Sequence, residues 1–319
     1  MKPLIFRRLT AFLLLLSLLC SVSACGGTPP SDPSDGSVTV TDALGRELSV
    51  AKHPTRVAAL LGSFADVWLL SGGTLCAAAE DAWEDFGLSL EGAICLGGAH
   101  SPSLEKLISS SPDLVLASAS TASHVDMREP LESMGISVLY FDVDHFDDYL
   151  GMLKVCTELT ERPDLYEANG LALKAQIDAV KADYAEAALP DSQRKILLLR
   201  AASSFVKAKG SRGTVLGEML ADMGCINIAD SDESLLEHLS VEAVIRNEPY
   251  HIFAVTMGSD PEAARATLET MIKENPAWSS LGAVRNGRLH VMDKQLFNLK
   301  PNARWAESYR ILYEALTSQ

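Results

Sequence analysis

The sequence predicts two similar α/β lobes, each a mostly parallel sheet flanked by helices, joined by one long rigid helix. Three observations predict it. Short apolar runs closed by Gly or Pro alternate with amphipathic segments along most of the chain, the pattern of parallel sheets covered on both faces. The stretch Ser103–Ala117, SLEKLISSSPDLVLA, returns as Ser240–Ala254, SVEAVIRNEPYHIFA, at an unbroken offset of 137 residues. That offset is far beyond the roughly 20–50 residues of a solenoid repeat, so it implies duplicated lobes. Finally, Asp164–Ala188 is rich in Ala, Leu, Lys and Glu, with Gly170 its one glycine. As a helix its 25 residues span about 37 Å, enough for a strut between lobes.

Taken in order, the N-terminal lobe is expected over residues 38–162. Val38–Leu48 reads as a hairpin turning at Ala43–Gly45, and Arg56–Leu61 as a buried strand ending at Gly62-Ser63. A helix over Phe64–Ser71 is closed by Gly72-Gly73, followed by strands at Leu75–Ala79 and Ala93–Leu96. The first repeat copy supplies a helix over 103–111 and a strand over 113–117. His124–Met134 reads as a helix stopped by Gly135, Ile136–Phe141 as a strand, and Phe146–Thr160 as a helix before Pro163. Residues 163–189 form the interlobe helix and 190–319 the C-terminal lobe. There, strands are expected at Lys195–Leu199, Ile226–Ile228, the second repeat copy and Leu289–Met292. Helices are expected at Thr214–Met223, Pro261–Lys273 and Arg304–Leu316.

The N-terminus has a separate purpose. Lys2, Arg7 and Arg8 precede the apolar run Leu9–Leu19, too short to span a bilayer and typical of an export signal. The run ends in Val22-Ser23-Ala24-Cys25, which resembles the lipobox of bacterial lipoproteins. That resemblance implies cleavage after residue 24 and lipid on Cys25, so the protein is expected to be exported and held on the extracytoplasmic side of the membrane. Residues 25–37 then form a lipidated cysteine and a flexible Gly/Pro/Ser/Asp tether. Loss of residues 1–24 leaves 24 basic residues against 42 acidic ones, a net charge of −18. Nucleic acid is thereby excluded as a partner. Of the cysteines left, Cys76, Cys95, Cys156 and Cys225, none forms a CxxC pair. Free buried thiols are expected, with Cys76–Cys95 as the one pairing to consider.

No catalytic residue and no metal site is expected. The seven histidines show no HxxxH or HxxH spacing, and neither a GxSxG elbow nor a P-loop occurs. Asp142, Asp144, Asp147 and Asp148 around His145 read as a solvated turn rather than a cation site.

The mature chain, Val38–Leu316, resembles the substrate-binding proteins of ABC importers for iron complexes and cobalamin. The resemblance rests on VTDALGRELSVAKHPTRVAAL at 40–60, both copies of the repeat, the long connecting helix, and AWSSLGAVRNGRLHVMD at 277–293. It implies a monomer with a helical hinge, a small-molecule ligand between the lobes, and delivery to a permease dimer with a cytoplasmic ATPase. The cargo implied is an iron chelate, a ferric siderophore foremost, with haem or cobalamin as alternatives; no cofactor is expected. By the same resemblance Glu105 and Glu242, one per lobe, dock onto arginines of the permease. Read singly, each is a carboxylate favoured at the start of a helix capped by Ser103 or Ser240.

In parallel α/β sheets ligands bind at the carboxyl ends of the strands. In the first lobe this places Phe64, Trp83, His100, Ser118 and Phe141 at the ligand. In the second it places Arg200, Phe205, Lys207, Met257, Lys294 and Phe297 there. Arg200–Arg212 and Lys294–Trp305 mix cations with aromatics, a combination that suits an anionic, partly aromatic cargo. Asn302 in the second segment also reads as a helix cap. Two other classes fit an interlobe cleft: an exported α/β hydrolase or transferase, and a sensory or adhesive lipoprotein.

Overall fold

The computed structural model of the protein describes residues 36–258 and 260–318. The export signal, Cys25 and the tether up to residue 35 lie outside the described residues.

A two-stranded hairpin, β1 Ser37–Thr41 and β2 Glu47–Ala51, opens the fold. Its turn is made by Asp42, whose Oδ1 accepts from the amides of Leu44 and Arg46 at 3.0 and 3.1 Å. Arg46 then reaches the Val138 carbonyl at 2.9 Å and stitches the hairpin to the first sheet. That sheet contains β3 Val57–Ala59, β4 Leu75–Ala78, β5 Ile94–Cys95, β6 Leu114–Ser118 and β7 Ser137–Phe141. Its order is β5-β4-β3-β6-β7, with every pair parallel. The second sheet contains β8 Lys195–Ala202, β9 Phe205–Lys209, β10 Ile226–Asn227, β11 His251–Thr256 and β12 Leu289–Met292. Its order is β10-β8-β11-β12, parallel throughout, with β9 antiparallel on the second half of β8.

Among the helices that cover these sheets, seven bear on the site and its support: α1 Gly62–Leu70, α2 Leu104–Ser109, α3 Phe146–Leu159, α4 Ala172–Glu186, α5 Val215–Asp222, α6 Val241–Asn247 and α7 Trp305–Thr317. The interlobe helix starts on Pro163 and runs through a π-turn at Glu167–Leu171 into α4. At that turn Gly170 packs under α3, and a Cβ there would meet Leu150 Cδ1 at 2.8 Å. The helix expected over 124–134 is two short ones, Ala122–Asp126 and Arg128–Ser133. Pro130 lacks the N–H that would continue the hydrogen-bond ladder.

The two repeat copies take the same place in their sheets. Ser103 Oγ accepts from the Lys106 amide and Ser240 Oγ from the Ala243 amide, both at 3.3 Å. Both helices end on a left-handed residue before proline, Ser111 and Glu248, each with φ of 48°. A cation at the start of the lobe's first strand caps each helix end: Arg56 on the carbonyls of Ser110 and Ser111, Lys195 on Asn247. Strands β6 and β11 then follow, each beside that first strand.

Three clusters of buried side chains explain how the lobes are held. One fills the outer face of the first sheet, with Val115, Ala117, Val138 and Tyr140. A second fills the outer face of the second sheet, with Leu197, Leu199, Ile252, Ala254 and Trp278. The third is continuous from Leu116 and Phe146 through Ile177 and Tyr184 of α4 to Leu198, Phe253 and Trp305. Alternate residues of each strand face different clusters, as a two-sided parallel sheet requires. Trp305 stands edge-on to Phe146 at 5.9 Å and beside Tyr149 at 6.5 Å, so α7 bolts the second sheet to the first lobe.

Candidate functional site: the cleft between the two sheets

The carboxyl ends of β3, β4, β6 and β7 build one wall. Gly62 closes the turn from β3 into α1, and a Cβ there would lie 2.6 Å from the Ala82 backbone nitrogen. Its amide donates to Asp81 Oδ2 at 2.8 Å, while Asp81 Oδ1 is buried without a partner among the described residues. Burial raises the Asp81 pKa. Trp83 is half-buried beside it, and Asp85 follows at the end of the same short helix.

The sequence places four side chains at the ligand that the structure puts in the interior. Phe64 is 2% exposed, and its ring meets Phe141 edge-on at 6.1 Å; Phe141 is itself buried. Phe297 is 1% exposed and belongs to the shared core. Ser118 is buried at the end of β6, its amide donating to His124 Nδ1 at 3.1 Å. Ser118 and Phe141 end their strands, and Phe64 and Phe297 lie within five residues of one, as the topological rule requires. The rule fixes the edge, however, not which way the side chain turns, and an aromatic ring at that edge gains more by packing inward. His100 is exposed. Its loop is braced by His124, whose Nε2 donates to the Ala99 carbonyl at 2.7 Å. Burial keeps His124 neutral to lower pH than usual. This brace, which positions the start of α2, has no signature in the sequence.

The opposite wall differs in charge. Most of the cation-rich segment Arg200–Arg212 forms the β8–β9 hairpin, turning at Ser203-Ser204. Val206 and Ala208 face the outer core, so Phe205, Lys207 and Lys209 share the other face. Arg200 and Lys207 are directly paired across the two strands, and Lys209 is the next same-face position. Lys207 Nζ sits 5.0 Å over the Phe205 ring, which is 37% exposed. Arg200 Nε is buried with no partner among the described residues. Burial pushes the Arg200 pKa down, and burial, then Arg200 and Lys207, push Lys209 down. Three cations therefore stand together on this face with no carboxylate among them. Met257, half-buried after β11, donates its amide to the Ala201 carbonyl at 2.9 Å.

At the other end of this edge a cavity of about 1040 Å³ opens between Glu84 and Asp85 of the first lobe and Thr256, Arg265, Asp293 and Lys294 of the second. Lys294 Nζ is 2.7 Å from Asp85 Oδ1, and Gln295 Nε2 donates to the Asp85 carbonyl at 2.9 Å. Lys300 pairs with Asp144 at 3.1 Å. Asn302 is not a helix cap. With φ of 50° and 1% exposure, it donates through Nδ2 to the Ser63 carbonyl at 2.9 Å and to Asp66 at 2.8 Å.

The Asp142–Asp148 turn is structural. Asp148 accepts from the amides of Asp144 and His145, and no group of three or more metal-ligating side chains occurs among the described residues. Cys76, Cys95, Cys156 and Cys225 are all free. Only Cys156 is fully buried, and Cys95, expected inside, is exposed because the two-residue β5 is an edge strand. Glu105 and Glu242 are both exposed in the first turn of their helices, and Glu242 also accepts from Ser240 Oγ at 3.2 Å.

Residues 57–296 match the periplasmic binding protein family, and the chain belongs to it. It is a substrate-binding protein, not an enzyme, which sets aside the hydrolase and transferase reading. Its relatives include a putative ABC transporter substrate-binding lipoprotein, YhfQ of Bacillus subtilis (strain 168), 23% identical over 90% of both chains. The Fe(3+)-citrate-binding protein YfmC of the same organism is 25% identical, again over 90% of both. The crystal structure of Staphylococcus aureus SirA complexed with staphyloferrin B has the same fold, with a TM-score of 0.68 at 20% identity. That likeness covers 88% of this chain and 99% of SirA.

Proposed function

We propose that this protein is the extracytoplasmic receptor of an ABC importer. It takes a preformed, anionic iron chelate, a ferric siderophore or ferric citrate, between its lobes and hands it to the permease. The observation that carries this reading is the β8–β9 hairpin, where Arg200, Lys207 and Lys209 crowd together on the cleft edge of an otherwise acidic chain. Holding like charges together costs free energy unless a ligand answers them. A chelate presenting carboxylate or catecholate oxygens does so through charge-assisted hydrogen bonds, with the planar Arg200 guanidinium able to make two at once. Phe205 and the half-buried Trp83 offer apolar contact for the ligand's organic frame.

Delivery follows from the repeat. Glu105 and Glu242 stand at equivalent positions on α2 and α6, on the sheet edges that form the cleft, and dock the two lobes onto the permease. Lipid on Cys25 keeps the receptor at the membrane. Fe(3+)-citrate binding by YfmC and the staphyloferrin B in the SirA complex support the same ligand class. The test is a thermal-shift series with ferric citrate, ferric siderophores, haem and cobalamin. A ligand at 100 times its Kd adds about 2.7 kcal/mol of stability. We expect the largest shift from an anionic ferric chelate; no shift with any of these would overturn the cargo assignment.

A further inference from the structure

Lys294, Gln295, Lys300 and Asn302 belong to the second lobe, yet their side chains are bound to the first. Lys300 and Asn302 make their links away from the 1040 Å³ cavity, whereas the Lys294–Asp85 pair forms part of its lining. Both members remain partly open to solvent, with side-chain exposures of 24% and 32%. Such a pair is weak and exchangeable. The remaining charged groups of that cavity are Glu84, Glu262 and Asp293 against Arg265, so Lys294 is half of its cationic character.

We propose that Asp85 is an internal competitor for the cargo. Its carboxylate occupies Lys294 as a stand-in for a ligand oxygen, and an anionic chelate must displace it to recruit that lysine. The inference rests on the reading of the cleft as a site for an anionic chelate. Asp85 is then a specificity-determining residue, because a ligand must offer Lys294 a better oxygen than the one it already has. Gln295, bound to the Asp85 backbone carbonyl, keeps the two walls in register while the side chains exchange partners.

Titration with ferric citrate, followed by tryptophan fluorescence, tests this in three variants. Asp85→Asn is expected to bind about 2–5-fold more tightly, the range of a partly exposed ion pair. Lys294→Ala is expected to bind more weakly, and the double variant to match Lys294→Ala, since Asp85 acts only through that lysine. Unchanged or weaker binding by Asp85→Asn, or a double variant unlike Lys294→Ala, overturns the competitor role and leaves the chelate reading standing. A wild-type chain that binds no ferric chelate overturns both. A ligand-free readout accompanies the titration: Asp85→Asn should speed hydrogen exchange over residues 293–299 but not over 300–305. Unaltered exchange over 293–299 also counts against the competitor role.

Discussion

The two lobes share a scaffold and differ at its edge. The helix–strand unit is repeated down to its cap, its left-handed stop and the cation on its last carbonyls, and in both copies the glutamate of the helix's first turn is exposed. The cleft edges are not repeated. The first lobe ends in Asp81, Glu84 and Asp85; the second ends in a cationic hairpin with no counterpart in the first. On the function proposed above, what is duplicated serves a symmetric partner, and what is not serves an asymmetric ligand. The packing shows the same division: each lobe has an outer core of its own, while the inner core is common to both.

The strongest way to break this comparison is through the cores. Trp305→Ala, in the shared core, and Trp278→Ala, in the outer core of the second lobe, should each cost about 3–5 kcal/mol in chemical denaturation. Only Trp305→Ala should also alter the spacing of the lobes, read as a changed small-angle scattering profile. Next comes the edge itself. Arg200→Ala should weaken ferric chelate binding about 10- to 100-fold by isothermal calorimetry, the range expected for a hydrogen bond to a charged group. On the opposite wall, Asp81→Asn should leave it unchanged or tighter.

A smaller effect separates the two repeat copies. His251 occupies the position that Leu114 holds in the first lobe, fully buried and 3.0 Å from His290. Burial, then His290 and Arg288, depress its pKa to about 4. The folded protein therefore refuses a proton that the unfolded chain accepts near pH 6.5, and stability falls as pH drops from about 6.5 towards 4. The loss is on the order of 1–3 kcal/mol. His251→Leu, which installs the first lobe's residue, should flatten urea midpoints across this range. The smallest contrast concerns the caps: Ser103→Ala and Ser240→Ala should cost about 1 kcal/mol each, with the larger loss at Ser240, whose hydroxyl also donates to Glu242.

Much of this scaffold was legible because it is written in local signals. Ser caps, Pro and Gly stops and period-specific apolar runs mark the parallel strands and the long helix, and the 137-residue offset marks the duplication. The site was less so. Lys207 and Phe205 stood out as cations near an aromatic ring, but β9 did not, because the five residues FVKAK carry their alternation on only Val206 and Ala208. Phe64, Phe141 and Phe297 read as ligand contacts because strand ends are where ligands bind; only the packing shows their rings turned inward. The pairing of Lys294 with Asp85 joins residues 209 apart and has no local signature at all.

The most direct test of the division between repeated and unrepeated parts uses the doubly reversed variant Glu105→Lys/Glu242→Lys, in proteoliposomes holding the cognate permease and ATPase. Ferric chelate affinity should equal that of the wild type, while stimulation of ATP hydrolysis and uptake should be lost. Uptake that survives the double reversal with ligand binding intact would contradict the account.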